Sequence, residues 1–196
     1  PIDIELIKGK ESTGFVTLDS TGRVQIFDGD GNSKISWPSS PGYGAEPKLG
    51  GTAYLAVLPK KRLFCSIIQD EGMCFNKDAE ELQRWDIKDG TPNAVEVYKN
   101  KILMAFGDKI ISYAHDGFRD KVVISDVFER GFEGIDMTVD NKGKLWVLTD
   151  NGIVYKFKRP GKLDYKLRAI DIPIIHPRIA VIDDILFISS KDRIHK

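Results

Sequence analysis

A grammar of short strands and tight turns recurs along the chain, and it constrains the fold more than any other feature. Its clearest copy is "GIDMTVDNKGKLWVLTDNGIVYKF", Gly134 to Phe157. Ile135–Val139 alternates apolar and polar residues, as a half-buried strand does. Asp140–Gly143 follows as a turn, then Leu145–Leu148 as a buried strand. Asp150-Asn-Gly152 is a hairpin turn of the Asn-Gly kind, where left-handed backbone positions favour Asn and Gly. Ile153–Phe157 alternates again, and after Arg159-Pro-Gly161 the segment Lys166–Ile172 supplies a fourth strand.

The same order recurs upstream as Ile2–Ile7, Phe15–Leu18, Val24–Phe27 and Ser33–Trp37. Further copies start at Thr52 and Asn93, and a shorter one at Arg178. The second strands begin at Phe15, Leu63, Ile102, Leu145 and Ile185, at intervals of 48, 39, 43 and 40 residues. The long first interval contains a Pro/Gly/Ser-rich insertion, Pro38–Gly51, which reads as a surface loop. A period of about 40 residues with four short strands per unit is the pattern of a β-propeller. The expectation is an all-β propeller of about five blades in one domain. Four blades are full (roughly 1–40, 50–88, 92–128 and 131–172), and the last, 173–196, is truncated. No stretch competes as a helix. Asp78–Asp86 has a helix-friendly composition but sits where the second blade needs its outer strand, so it reads as strand plus loop.

At 196 residues the chain can bury an ordinary apolar core. Lys+Arg and Asp+Glu balance at 29 each, so no global field draws it to nucleic acid or an anionic membrane. The basic cluster Tyr155–Arg168 reads as the solvated face of outer strands, with Lys outside and Tyr or Phe inside. The longest apolar runs, such as Ile102–Phe106, are far shorter than the roughly 20 residues of a membrane helix. Pro1–Lys10 has no apolar core of a signal peptide. The expected location is the cytoplasm, or a particle assembled inside the cell. Cys65 and Cys74 flank the turn region Gln69–Gly72. The favoured reading is two buried thiols in a reducing compartment, ahead of a redox pair. Without a nearby His or third Cys they make no zinc site.

Single blades resemble known families. "GRVQIFDGDGN", Gly22 to Asn32, is similar to the third strand and turn of an NHL repeat. "EGIDMTVDNKGKLWVLTD", Glu133 to Asp150, resembles the first two strands of a gluconolactonase-like blade. Those families usually close six blades, more than this chain supplies. The gluconolactonase-like resemblance implies that Glu133 lies near a central channel and contributes to a calcium site. A hard cation needs several oxygen ligands, and Asn93 and Asp183 are the neighbouring candidates. On that reading the chain would be a calcium-dependent lactonase-like hydrolase. The residues by themselves favour a solvated loop carboxylate at Glu133.

Other chemistry has little support. His115, His176 and His195 are scattered, with His176 the one candidate base at a channel rim. No nucleophile elbow, phosphate loop or Cys/His pair appears. Asp28–Asn32, "DGDGN", lacks the later ligands of a calcium loop and reads as a hairpin turn. Trp146 lies within an apolar strand and reads as core. Trp37 and Trp85 fall on outer strands, where they would serve a carbohydrate-binding propeller or, more simply, blade packing. The truncated last blade carries the most weight. Ile185, Phe187, Arg193 and Ile194 lie in a sheet short of its outer strand, and an unpaired edge invites a partner. The leading expectation is a non-catalytic propeller that binds protein or builds a larger assembly, such as a viral or phage particle. Its partner is a protein or a second copy of the chain, and no cofactor is expected unless the calcium reading holds.

Overall fold

Wherever Ile, Val, Leu and Phe crowd five to seven positions, the chain is extended, and the Asp/Asn/Gly clusters between them turn it back. The computed structural model describes residues 3–8, 13–19, 23–38, 53–76, 78, 80–125, 127–129, 133–168, 177–190 and 193–196. Among these, every regular element is a β-strand. Sheet one consists of β1 (Asp3–Lys8), β2 (Thr13–Leu18), β3 (Arg23–Phe27) and β4 (Ser33–Pro38). Sheet two holds β5 (Ala53–Leu58), β6 (Leu63–Ile68), β7 (Glu71–Phe75) and β8 (Glu81–Asp86). Sheet three holds β9 (Ala94–Tyr98), β10 (Lys101–Phe106), β11 (Lys109–Tyr113) and β12 (Arg119–Ile124). Sheet four comprises β13 (Gly134–Val139), β14 (Leu145–Thr149), β15 (Ile153–Arg159) and β16 (Lys162–Arg168). Sheet five has three strands, β17 (Arg178–Ile182), β18 (Ile185–Ser190) and β19 (Arg193–His195). Each sheet is an antiparallel meander in chain order, the blade unit of a β-propeller. The Asp78–Asp86 segment contributes β8, as its place in the repeat requires.

Two compact units divide these sheets. The first runs to Pro92 and includes the turn Ala114–Phe118; the second takes Asn93–Tyr113 and the chain from Arg119 onward. In the first unit β1 lies beside β5. Val16, Leu18 and Val24 of sheet one there meet Leu55, Phe64, Met73 and Phe75 of sheet two in one buried cluster. In the second unit β13 lies beside both β9 and β17. Ala94, Leu103, Ala105 and Ile110 of sheet three pack on Met137, Leu145, Val147 and Phe157 of sheet four. The other face of sheet four, with Trp146, Leu148 and Val154, buries Ile179 and Ile188 of sheet five.

A carboxylate clasp accompanies these contacts. Asp3 Oδ2 accepts the N–H of Leu55 at 2.6 Å, Glu96 Oε2 that of Val139 at 3.2 Å, and Asp136 Oδ2 that of Ile179 at 2.7 Å. In each case the first strand of one sheet satisfies a backbone donor on the first strand of the next. A buried N–H left without a partner costs about 1–3 kcal/mol, so the clasp matters more than its length indicates. Burial holds the Asp136 carboxyl up at about 6, although the Ile179 N–H and Arg178 both pull it down.

One turn type recurs five times among the described residues. The N–H of Asp19, Asp28, Asn76, Ala114 and Asp140 donates to the carbonyl four residues on, at 3.0, 3.0, 3.1, 3.0 and 3.0 Å. Side-chain oxygens complete the turns. Asp28 Oδ1 accepts from the N–H groups of Asp30 and Asn32, and Asp140 Oδ1 from those of Lys142 and Lys144. Gly31 and Gly143 take left-handed φ values of 84° and 72°, which a side chain would resist. "DGDGN" is thus a hairpin turn whose carboxylate is engaged by its own backbone and by Lys34.

The cysteine expectation is overturned. Gln69 and Asp70 form a two-residue turn between β6 and β7, with Gln69 at φ 54°. That length fixes the register, which sets Cys65 directly opposite Cys74. The two are joined in a disulfide. The argument for a reducing compartment from free thiols falls with it.

Candidate interaction surface

Sheet five is built like the others on one side only. Ile179 pairs with Ile188 and Val181 with Leu186, and this face turns to sheet four. Alternation puts the intervening residues on the opposite face. There Ala180 pairs with Phe187, Ile182 with Ile185, and Ser189 with Ile194. Ile182 is 60% exposed, Ile194 74% and Ile185 36%, while Phe187 is half-buried. β19 pairs with β18 on one side, and no fourth strand follows it among the described residues. The structure therefore brings Ile185, Phe187 and Ile194 to one apolar face. Arg193 joins the edge through its backbone register opposite Ser190. Sequence reasoning missed Ile182, though the alternation in "RIAVIDD" carries the signal.

The proposed calcium ligands are only partly gathered. Asn93 and Glu133 occupy equivalent places, each just before the first strand of its sheet, and Asn93 Nδ2 donates to Glu133 Oε2 at 3.0 Å. Glu133 also takes part in the backbone, donating its N–H to Asp150 Oδ1 and accepting the N–H of Asp150, both at 3.1 Å. Gly107 lies close by, its carbonyl accepting the N–H of Gly134 at 3.1 Å. Asp183 is elsewhere. It sits in the two-residue turn after β17, whose other member, Asp184, pairs with Lys142 in the turn after β13. It therefore lies at the far end of these first strands from Glu133. Among the described residues no group of three or more His, Cys, Asp and Glu converges as a metal site.

The tryptophans separate. Trp85 is half-buried, and its indole lies so close over Gly72 and Gly117 that a Cβ on either would overlap it. Its Nε1 is buried and finds no hydrogen-bond partner among the described residues. The ring is packing material rather than an open platform for a sugar. Trp37 contributes backbone to β4 opposite Val24, and its side chain lies outside the described residues. Trp146 is 3% exposed; Asp140 Oδ2 accepts its Nε1–H at 3.0 Å, and Lys156 Nζ lies 4.2 Å from its ring centroid. His115 lies in the turn Ala114–Phe118. His176 and the insertion at 39–51 fall outside the described residues, as does the His195 side chain. In the basic cluster Tyr155 and Phe157 are buried while Lys158, Lys162 and Lys166 are exposed.

No family model matches the chain, and no curated protein matches it. Two solved structures show its kinship of fold. The WD40 domain of Neurospora crassa Pan2 is similar with a TM-score of 0.59 at 11% identity, over 85% of this chain and 49% of that one. A protein of unknown function from Bacteroides caccae is similar with a TM-score of 0.59 at 14% identity, over 90% of this chain and 64% of that one. The fold is a β-propeller with a truncated last blade. The chain spans about half the length of the first neighbour and less than two-thirds of the second. The NHL and gluconolactonase-like resemblance of single blades narrows to this general propeller likeness. No helix among the described residues is long and apolar enough to cross a membrane.

Proposed function

We propose that the chain is a non-catalytic propeller that binds protein within a larger assembly, with its open fifth sheet as the binding surface. One observation carries this reading: Ile182, Ile185 and Ile194 lie solvent-exposed on one face of a three-stranded sheet whose last strand pairs with β18 alone among the described residues. Apolar faces of this kind mark sites of association, and a free edge can accept a further strand. WD40 domains, to which the fold is similar, commonly mediate protein interactions. The test is selection of extended peptides from a displayed library on the immobilised chain. The expected winners alternate apolar residues and lose binding when Ile194→Glu or Ile182→Glu is introduced. Winners indifferent to both substitutions would remove the fifth sheet from consideration.

The second reading, calcium-dependent hydrolysis, draws on the Asn93–Glu133 contact. It requires that calcium raise the melting temperature of the chain and that Glu133→Gln abolish the rise. Melting curves that coincide in calcium and in chelator would end it.

A further inference from the structure

We propose that the cleft between Trp146 and Tyr165 on sheet four is a binding site for a methylated lysine side chain of another protein, and that Lys156 of this chain fills it when no such ligand is bound. The site stands apart from the open face of sheet five and does not rest on it. Three directly opposed residues make it. On β14, β15 and β16 the register sets Trp146 against Lys156 and Lys156 against Tyr165, so the three side chains share one face of the sheet. The indole and phenol rings stand at 89° with centroids 6.1 Å apart. The Lys156 ammonium lies 4.2 Å from the centroid of the first and 5.2 Å from that of the second, both within the reach of a cation–π attraction.

The walls are in place before any ligand arrives. Trp146 is 3% exposed, held by Asp140 Oδ2 on its Nε1–H at 3.0 Å and by its cluster with Leu148, Val154, Ile179 and Ile188. Tyr165 lies on the outer strand and is 42% exposed, so the cleft is reached from that side. Burial opposes charge on Asp140, yet donors from Trp146, Lys144 and Lys142, with the Lys156 charge nearby, hold its carboxyl below the usual value. Two π faces and a fixed negative charge at the edge of one are the makings of an aromatic cage for a cation. The present occupant shows what fits. On the same two strands Lys158 pairs with Asp164 at 3.2 Å and Lys166 with Glu129 at 2.9 Å. Lys156 instead lies against the rings, with the Tyr165 hydroxyl at 3.5 Å, the outer limit of a hydrogen bond. An ammonium is strongly hydrated, and this site returns few of the hydrogen bonds that water supplies. Methylation keeps the charge, removes N–H donors that need water, and adds apolar surface for the rings. A methylated lysine from outside therefore suits the cleft better than Lys156 does, on a stem of the same length. Lys156, half-buried, can swing its head into water on that flexible stem.

The test is titration of the acetylated amide of trimethyl-lysine into the isotope-labelled chain, read by NMR at the Trp146 indole N–H. A saturable shift is expected. It should saturate at about tenfold lower concentration in Lys156→Ala, which removes the internal competitor, and at about tenfold higher in Tyr165→Ala, which removes one wall. Thermal melts establish that both variants fold, and Lys156→Gln and Tyr165→Leu replace either that does not. Ile194→Glu is expected to leave the titration unchanged, so this site and the fifth sheet stand or fall separately. The proposal is overturned if neither the unaltered chain nor Lys156→Ala gives a saturable shift, or if Lys156→Ala binds no tighter. A neutral analogue with carbon in place of the nitrogen, or an unmethylated lysine amide, that binds as well as the trimethyl compound also overturns it. Tetramethylammonium distinguishes the source of the cation. If it binds as tightly as the lysine derivative, the stem contributes nothing, and the assignment to a protein side chain gives way to one for small free cations.

Discussion

Sheets four and five are built from the same kinds of strand, yet their burial differs throughout. Every residue of β14 is buried, and β15 is buried from Ile153 to Tyr155 and again at Phe157. β17 instead alternates, with Ile179 buried and Arg178, Ala180 and Ile182 exposed. The cause is the number of neighbours. Sheet four has sheet three on one face and sheet five on the other within the second unit. Within that unit, and among the described residues, sheet five packs on sheet four only. A four-stranded sheet of this kind buries both faces only when it is stacked on both sides, so the burial pattern of a strand reports how many blades flank it.

This contrast can be tested by substitution, beginning where the effect is greatest. Phe157→Ala empties a site enclosed on both sides and is expected to cost about 3–5 kcal/mol. Phe187→Ala, on the open sheet, is expected to cost only about 1 kcal/mol in the dilute chain. Urea titration of both variants checks the pair, and equal losses would mean that the fifth sheet is as enclosed as the fourth. Next comes Asp136, which joins the two sheets. Its carboxyl stands at about 6, against an ordinary 3.8, chiefly because it is buried. The folded chain therefore binds that proton more tightly than the unfolded chain. The resulting stability is full below about pH 4 and is lost as pH rises through about 6, a difference of about 3 kcal/mol. Asp136→Asn is expected to remove this slope from urea titrations run between those limits. Glu5 in the first unit, raised to about 7 by burial and by Asp3, adds a slope of the same sign.

Smaller effects distinguish the turns of the two sheets. Asp140→Ala leaves the Trp146 Nε1–H and two turn N–H groups without their acceptor and should cost about 1–2 kcal/mol in urea. In sheet five the turn places Asp183 and Asp184 at φ 49° and 64°, where glycine is at ease. Asp183→Gly is expected to raise stability by about 0.5–1 kcal/mol, read as a higher melting temperature. Least of all, Lys142→Ala removes the exposed ion pair with Asp184 and is expected to change stability by less than about 0.5 kcal/mol.

Strand order and blade number were legible because each copy states them locally: an apolar run, a polar turn, another run. "DNKGK" and "DGDGN" carry their turn chemistry in their first and fourth residues. The disulfide was not legible, because "IIQDEGM" contains no glycine where the tight turn bends, and the register of Cys65 on Cys74 depends on that turn. The Asn93–Glu133 contact was half visible. The two stand 40 residues apart, one repeat, at the same point of successive blades. Asp183 belongs to a different point of the repeat, which a search by residue type alone passes over. The clasp was missed for a related reason. Asp3, Glu96 and Asp136 look like ordinary polar positions of alternating strands, and their role becomes visible only when the next blade brings up its N–H. The open face of sheet five was legible only in part: alternation in β17 and β18 separates its two faces, but which face is covered depends on the blade beside it.

The turns that begin at Asp28 and Asp140 have a consequence of another kind. Each closes its own hydrogen bonds through one carboxylate and asks only for a glycine three residues later. Lys142 is tied to Asp184, but Gly29, Asp30 and Asn141 between them point into solvent. What is written at those places can change without consulting the sheets beneath. The scaffold thus separates the text it displays from the frame that holds it, and new recognition sequences can be spelled there while the blades stay as they are.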